Sequence, residues 1–476
     1  MTDNEHQDLS VEKSEDRVLD PSNLDAEHHA LERQFQDLLE EENEDLIRDL
    51  ALELSPGDLS EVLRPLSVPD TALILRLLPP DPLAEVLAEI DNRSLSALFT
   101  LLDIDEIADI IEEMPSDEAT DILGDLEEGQ AQEILAAMEE EERGEVAELL
   151  GYSSESAGGI MAKEVASCFE GITCGDAVAA LRHTDEDDLE DLHFVYAVDQ
   201  EGRLTGRLPL VRLLLTRPVA LVKDVMETEP LYVDVDLDQE EVANFFRIHD
   251  LISVPVVNQD RQLAGVITAD DVLDVMEEEA TEDISRLAGV SVEEFGEQSS
   301  LRVARSRLPW LLGALLGQMG AVMVMSHFEH SLQTMVALAF YTPMIMGTAG
   351  NIGIQTSSVV VRGLATGEVD FFHLGRHLLR ELGTAILTGV AVSLAIFLIS
   401  LVISGQFTLS LVLGISMLLV ILFAAMAGSG IPLMLHRFGI DPAVATGPFI
   451  TTANDIVSML IYLGLATIML SQSGAG

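Results

Sequence analysis

Apolar residues return every twelve positions from Leu54 onward, in segments such as "LSPGDLSEVLRP", "LPPDPLAEVLAE", "LDIDEIADIIEE" and "LEEGQAQEILAA". The first, ninth and tenth places are apolar, and Pro, Asp or Ser gather near the start, where a helix N-terminus sits. Twelve residues make about two helical turns and a link, too short to be stable alone, so neighbours must share one core. The pattern predicts an all-α superhelix of short helices over 36–150. After Gly151 the period changes. "HFVYAVDQEGRLTGRLPLVRLLL" and "LISVPVVNQDRQLAGVITADDVLDVM" share one plan, an apolar β-rich run, a polar turn, a second strand and a helix. They predict two α/β copies at 151–218 and 219–280. From Leu308 five apolar segments follow, near 308–328, 332–361, 382–404, 409–435 and 443–470, each long enough to cross a bilayer as a helix. The chain therefore reads as multidomain, with a connecting helix at 281–306 and a five-helix transmembrane domain at 307–476.

Charge sharpens this division. The formal net charge is -58, yet residues 301–476 hold 7 Arg, no Lys and 6 acids, leaving 18 basic and 77 acidic residues in the first 300. A strongly acidic soluble part is joined to a nearly uncharged apolar one. Nucleic acid is excluded as a partner, because phosphate binding needs a basic face. The first 35 residues are polar and acidic and read as a disordered tail. No charged segment followed by an apolar core opens the chain, so no signal peptide is expected. The two cysteines, Cys168 and Cys174, form no CxxC and read as free thiols in a reducing compartment.

The arginines orient the spans. Arg302, Arg305 and Arg307 precede the first, Arg362, Arg376 and Arg380 lie between the second and third, and Arg437 lies between the fourth and fifth. In an alternating five-span arrangement all seven fall on one side. The positive-inside rule makes that side the cytoplasm. The expected location is the inner or plasma membrane, with the N-terminus and acidic domains cytoplasmic and the C-terminus outside.

Two spans carry polar chemistry. The second contains "PMIMGTAGNIGIQTSS", where glycines either permit close helix packing or open a polar path at membrane depth. The fifth contains "GPFITTAND", ending in Asp455, with Thr451 one turn earlier on the same face. A carboxylate at that depth costs at least about 2.5 kcal/mol, so it faces a partner, a water-filled path or the interface.

The tandem copies resemble a pair of CBS domains, modules named after cystathionine β-synthase that bind adenine nucleotides or ions. The nucleotide signature of that family falls on Gly265, Thr268 and Asp271 of the second copy. The matching places in the first are Gly206, Pro209 and Arg212, which supply neither hydroxyl nor carboxylate. ATP is accordingly expected at the second copy; the alternative is a strand-turn-helix without a ligand.

With "SAGGIMAKE" at Ser156, "DDVLDVMEEEATEDISRLAGV" at Asp270, "GNIGIQ" at Gly350 and "DPAVATGPFITTANDIV" at Asp441, the chain resembles the MgtE family of bacterial magnesium channels from residue 36 onward. The resemblance implies a homodimer in a lipid bilayer, its pore lined by the second and fifth spans and passing hydrated Mg2+. It places the pore carboxylate at Asp455, with Thr451 and Asn351 near the same path. It also implies that Mg2+ is the regulator, bound by acids of the cytoplasmic domains: Asp238, Glu240, Asp250, Asp274, Glu279, Glu282 and Asp283, with Asp105 and Asp109 of the helical repeats joining the set. The run from Asp274 to Gly289 resembles the helix that plugs the pore.

A chain with only three lysines and this many acids also fits a solvated, salt-adapted surface, and the two uses of the acids coexist. No Walker loop, HExxH or Gly-x-Ser-x-Gly occurs, so an enzyme is not expected. The leading expectation is a Mg2+ channel or transporter running down the electrochemical gradient and closed by cytoplasmic Mg2+. The alternatives are a transporter mainly for Mn2+ or Co2+, and a membrane ion sensor that conducts nothing.

Overall fold

A computed structural model describes residues 21–472 apart from 42, 91–94, 96–97, 100, 125, 184–191, 291–298, 366–373, 439–440 and 443–446. The chain forms two compact units, 1–239 with 252–268 and 240–251 with 269–476.

The first unit opens with α1 (Pro21–Glu40), followed by α2 (Glu44–Leu52), α3 (Pro56–Leu63), α4 (Val68–Leu75), α5 (Pro80–Ala88), α6 (Ile104–Glu112), α7 (Ser116–Gly124), α8 (Glu128–Ala137) and α9 (Glu140–Leu149). From α2 on, the starting residues are twelve apart, or twenty-four between α5 and α6. The sequence period is thus the spacing of the helix N-termini. Several starts are fixed locally. Ser55 and Ser67 accept from the backbone of Asp58 and Asp70, Asp103 and Glu106 form a capping box, and α3, α4 and α5 carry proline in the first two positions. The apolar faces of the stack meet in one core that includes Phe35, Ile47, Leu59, Ile74, Leu87, Ile107, Ile111 and Ile134.

The expected disordered tail is corrected here. Residues 1–20 lie outside the described residues, but 21–35 belong to α1, and Phe35 is 0% exposed within the same core as Ile47 and Leu59. Leu31, Phe35 and Leu38 recur at helical spacing on one face, so a mostly polar segment still buries a stripe.

The two α/β copies follow. In the first, β1 (Ser167–Phe169), β2 (Phe194–Val198), β3 (Leu204–Pro209) and β4 (Glu227–Thr228) form a sheet in that order, with β1 parallel to β2 and the rest antiparallel. Short helices α10 (Cys174–Leu181), α11 (Leu210–Leu215) and α12 (Val222–Val225) accompany it. In the second, β5 (Val233–Asp234), β6 (Ser253–Val257) and β7 (Leu263–Thr268) form a three-stranded sheet.

Each sheet borrows its last edge from the segment that leads into the other copy. β4, which precedes the strands of the second sheet, pairs with β3, whereas Ala162, which precedes the strands of the first, pairs with Val266 of β7. Gly206 and Gly265 make these crossings possible. A Cβ on Gly206 would sit 2.5 Å from the Met226 sulfur, and one on Gly265 would sit 2.5 Å from the Ala162 carbonyl oxygen and 2.9 Å from the Met161 sulfur. The "SAGGIMAKE" segment is therefore a strap. Its Ala157 and Gly158 amides donate to Leu237 and Val235, Ala162 and Val266 exchange two backbone bonds, and Glu164 accepts from the Ser116 amide and hydroxyl at the start of α7.

The second unit holds α13 (Gln239–His249) and α14 (Ala269–Ala288), then the apolar bundle. α14 runs without a break across the expected boundary at 280, because nothing between Glu277 and Arg286 interrupts a helix. Part of the connecting stretch, 291–298, lies outside the described residues. The bundle consists of α15 (Ser300–His327), short α16 (Glu329–Thr334), α17 (Ala337–Ala365), α18 (Leu374–Ser404), α19 (Phe407–Arg437) and α20 (Pro448–Gln472). Five of these are long. Among the described residues four, α15, α18, α19 and α20, are both long and apolar enough to cross a membrane. α17 is 29 residues long and corresponds to the expected second span, but its polar "GTAGNIGIQTSS" run lowers its apolar character.

Packing fixes the helix directions. Gly317 and Gly320 of α15 lie against Thr452 and Ile456, so α15 runs parallel to α20. Gly353 lies against Ile450 and Asn454 while the Tyr462 hydroxyl donates to the Leu338 carbonyl at 2.9 Å, so α17 runs antiparallel to α20. Gly389 meets Ile421 and Gly414 meets Phe397, so α18 and α19 are antiparallel. The start of α15, with Arg302, Arg305 and Arg307, and the end of α17, with Arg362, thus share one end of the bundle with the start of α20.

Candidate functional site: a buried carboxylate in an apolar helix

Asp455 stands near the start of α20 and is 6% exposed. α17 reaches α20 closely at this level because glycine replaces side chains there. A Cβ on Gly350 would lie 3.7 Å from Thr451, and one on Gly353 would lie 2.1 Å from the Asn454 amide nitrogen. Gly428 of α19 presses on the same turn, with 2.6 Å between its would-be Cβ and the Gly353 carbonyl oxygen. Of the two uses open to the glycines of α17, close packing is what Gly353 serves, and Gly428 of α19 serves it from the facing helix.

The three expected pore residues are not equivalent. Asp455 is buried; Thr451, one turn earlier, is half-buried and donates its hydroxyl to the Gly447 carbonyl at 3.1 Å. Asn351 is exposed on α17, as is Gln355 one turn later. Within one chain the structure brings Thr451 and Asp455 onto one face and leaves Asn351 on an open surface.

A second polar group lies where α14 ends. Arg286 pairs with Glu282 on its own helix and with Asp441 in the link between α19 and α20. Asp283 sits beside them. Burial first, then the neighbouring charges of Asp441 and Glu279, push its carboxyl above the usual range, and Arg286 pulls it back in part. Of the expected regulatory acids, Glu279, Glu282 and Asp283 are therefore gathered with Asp441. The others stand apart. Asp274, earlier on α14, is also pushed up, by desolvation and then by Asp270 and Glu277. Asp250 follows α13 with φ 50, where the Leu251 amide returns to the Phe246 carbonyl, so it closes that helix as a left-handed residue. Asp238 and Glu240 are exposed at the start of α13, where Asp238 also bridges to Ser156 of the strap. Asp105 and Asp109 are exposed one turn apart on α6. Among the described residues no group of three or more His, Cys, Asp or Glu side chains is arranged to hold a metal ion.

The nucleotide signature maps to the end of a strand and the start of a helix. Gly265 and Thr268 are on β7 and Asp271 is in the first turn of α14. Gly265, however, owes its lack of a side chain to the strap crossing it.

Sequence reading passed over Asn454, Asp441 and Arg286. The signals were modest: an amide immediately before the intramembrane acid, a lone acid in a short link between two apolar spans, and the single basic residue of α14.

A helical stack, a pair of strand-helix modules sharing edges, and an apolar bundle with a buried carboxylate suit a multi-pass membrane protein of the cation-transport class with soluble domains attached. Comparison with known proteins agrees. Residues 54–155 match the family model described as the MgtE intracellular N domain, 222–278 match the CBS domain, and 342–465 match MgtE, described as a divalent cation transporter. A relative from Thermus thermophilus, a magnesium transporter MgtE, is 37% identical over 331 residues, 69% of this chain and 73% of the relative. One of the same name from Enterococcus faecalis is 39% identical over 327 residues, 69% of this chain and 72% of the relative. A crystal structure of the cytosolic domain of the Mg2+ channel MgtE in complex with ATP is 32% identical, covers 51% of this chain and 99% of that chain, and has a TM-score of 0.49. The chain belongs to the MgtE family.

Proposed function

We propose that this protein is a Mg2+-selective channel or transporter that moves Mg2+ across a cell membrane down its electrochemical gradient and is closed by cytoplasmic Mg2+. The observation that carries the reading is Asp455, 6% exposed inside an apolar helix whose Thr451 and Asn454 pack on the glycine-rich turn of α17. Mg2+ surrenders its water reluctantly and is held through one or two carboxylates with waters retained, so a pair of Asp455 side chains from two chains of a homodimer suits a hydrated ion. Asn351, exposed in one chain, would face the same path in the dimer. Two curated relatives that are named magnesium transporters support Mg2+ as cargo over Mn2+ or Co2+. A divalent cation gains about 4.6 kcal/mol of inward drive per 100 mV, so no enzymatic step is required. The arginine-bearing end of the bundle is taken as cytoplasmic, which puts the acidic domains inside and the C-terminus outside.

For closure, Asp283 supports the reading: a carboxylate held near Asp441 and Glu279 gains from a cation among them, and hard oxygen donors suit Mg2+. Asp105, Asp109, Asp238, Glu240, Asp250, Asp274 and Glu282 would add donors when domains and chains approach. ATP is assigned to the second CBS copy through Thr268 and Asp271. Uptake into proteoliposomes with Mg2+, Mn2+ and Co2+ swept in turn tests the proposal. Asp455→Asn removes charge with little change of shape and should sharply reduce Mg2+ flux in a well-folded protein. Parental flux in that variant would refute the pore assignment, and a parent preferring Mn2+ or Co2+ would refute the cargo.

A further inference from the structure

The most deeply enclosed amide of the bundle is the neighbour of Asp455. Asn454 is 0% exposed, and its Nδ2 donates to the Ala349 carbonyl oxygen at 3.3 Å, tying α20 to α17. Gly353 closes the other side, since a Cβ there would fall 2.1 Å from Asn454 Nδ2 and 2.8 Å from Ile450 Cγ2. Gly428 holds Gly353 from behind on α19. The α17 glycine on which the amide rests is thus itself packed against α19.

Packing alone does not explain an asparagine here. A leucine has the same number of side-chain heavy atoms in the same branched arrangement and carries no polar atom to satisfy. The amide leaves Oδ1 buried with no hydrogen-bond partner among the described residues, and the Ser458 hydroxyl, one turn on and 0% exposed, is in the same condition. Such atoms are unfavourable in an apolar medium, and an interhelical tie accounts for Nδ2 but not for Oδ1.

We infer that Asn454 is a positioning residue for Asp455, its amide clamped between the Ala349 carbonyl and Gly353 so as to set the rotation of α20 at which Asp455 meets a hydrated divalent cation. Consecutive helical residues point about 100° apart, so anchoring 454 on α17 turns 455 away from that contact. Oδ1 is then an acceptor that water from the ion path satisfies. The inference rests on the reading of Asp455 as the pore carboxylate.

The test is uptake by the full chain in proteoliposomes, with Mg2+ and Co2+ each swept in concentration, for the parent, Asp455→Asn, Asn454→Leu and Gly353→Ala. The last two break the same tie from opposite sides. Gly353→Ala leaves Asn454 in place and serves if Asn454→Leu fails to fold. Both should remain monodisperse like the parent, raise the half-saturating Mg2+ concentration about tenfold, and narrow the preference for Mg2+ over Co2+. A purely structural role predicts a fall in maximal uptake of both metals with half-saturation unchanged, and that result overturns the inference. If the parent transports and Asp455→Asn does not, while both variants keep the parental half-saturation and metal order, this inference alone falls. If the parent moves no cation, the pore reading falls with it.

Discussion

Arg286 offers the sharpest test of how α14 is held. Its guanidinium joins Glu282 and Asp441, and the three side chains are 37%, 28% and 31% exposed. Exposed pairs contribute about 0–1 kcal/mol, whereas removing one partner of a buried pair costs about 3–5 kcal/mol. At roughly one-third exposure, water still screens much of the attraction. Removing Arg286 nevertheless leaves Glu282, Asp283 and Asp441 facing one another, with Glu279 close by. The coupling between Arg286 and Asp441 is therefore expected at about 1–2 kcal/mol, around a tenfold change in the opening equilibrium of the last turns of α14. Amide hydrogen exchange reads that equilibrium directly. Parent, Arg286→Gln, Asp441→Asn and the double variant form a cycle. The two single changes should each loosen α14, and the double should cost less than their sum by the coupling. Raising NaCl should shrink the coupling by screening. Additivity within about 0.5 kcal/mol would show that the pair does not hold the helix, as would unchanged protection in Arg286→Gln.

Four further outcomes follow from particular contacts. Gly428→Ala places a methyl 2.6 Å from the Gly353 carbonyl oxygen and should lower stability by about 1–3 kcal/mol, whereas Gly430→Ala, with nothing within 4 Å, should be neutral in the same thermal melt. Glu164→Ala removes the acceptor for the Ser116 amide and hydroxyl and should reduce exchange protection at the start of α7 by about 1–2 kcal/mol, with Lys163 and Glu148 still paired beside it. Calorimetry with ATP should find at most one site per chain, lost in Asp271→Ala; two equivalent sites would contradict the assignment to the second copy. Asp283 is raised above its ordinary range by burial, Asp441 and Glu279, against Arg286, so its contribution to stability is full below the ordinary carboxylate range and fades as pH rises through the raised value. Protection of the last turns of α14 should accordingly fall from acid toward neutral pH, and Asp283→Asn should flatten that dependence.

The elements most legible in the sequence are those whose signal is periodic. Helix starts twelve residues apart follow directly from a twelve-residue apolar period, because each short helix buries the same face. α1 escaped because one apolar stripe, Leu31, Phe35 and Leu38, is hidden among charges and gains meaning only against the core it completes. The strap escaped for a different reason. The pairing of Ala162 with Val266 joins residues far apart in the chain, and no local pattern announces a strand of one or two residues. Asp455 was visible as a charge in an apolar run. The contact of Asn454 with Ala349 was not, since it depends on how two membrane helices turn toward each other.

The acidic composition gains a third meaning from the fold, besides sensing and solvation. A stack of two-turn helices has an N-terminus every twelve residues, and each carries unpaired amides and about half a positive charge. The acids meet them there. Asp58 and Asp70 lie in the first turns of α3 and α4 and accept from the capping hydroxyls of Ser55 and Ser67, Asp103 and Glu106 close the start of α6, and Asp105, Asp117 and Glu118 lie in the first turns of α6 and α7. Asp176 repeats the arrangement with Thr173 at α10 of the first α/β copy. Each such placement contributes about 0.3–1 kcal/mol at low ionic strength, the same order as the repulsion between neighbouring surface acids. A fold built of many short helices thus tolerates far more acid than one built of a few long ones. Asp105 illustrates the consequence: a carboxylate expected to sense Mg2+ already stabilises the N-terminus of α6, so its loss would weaken the stack whether or not an ion binds there.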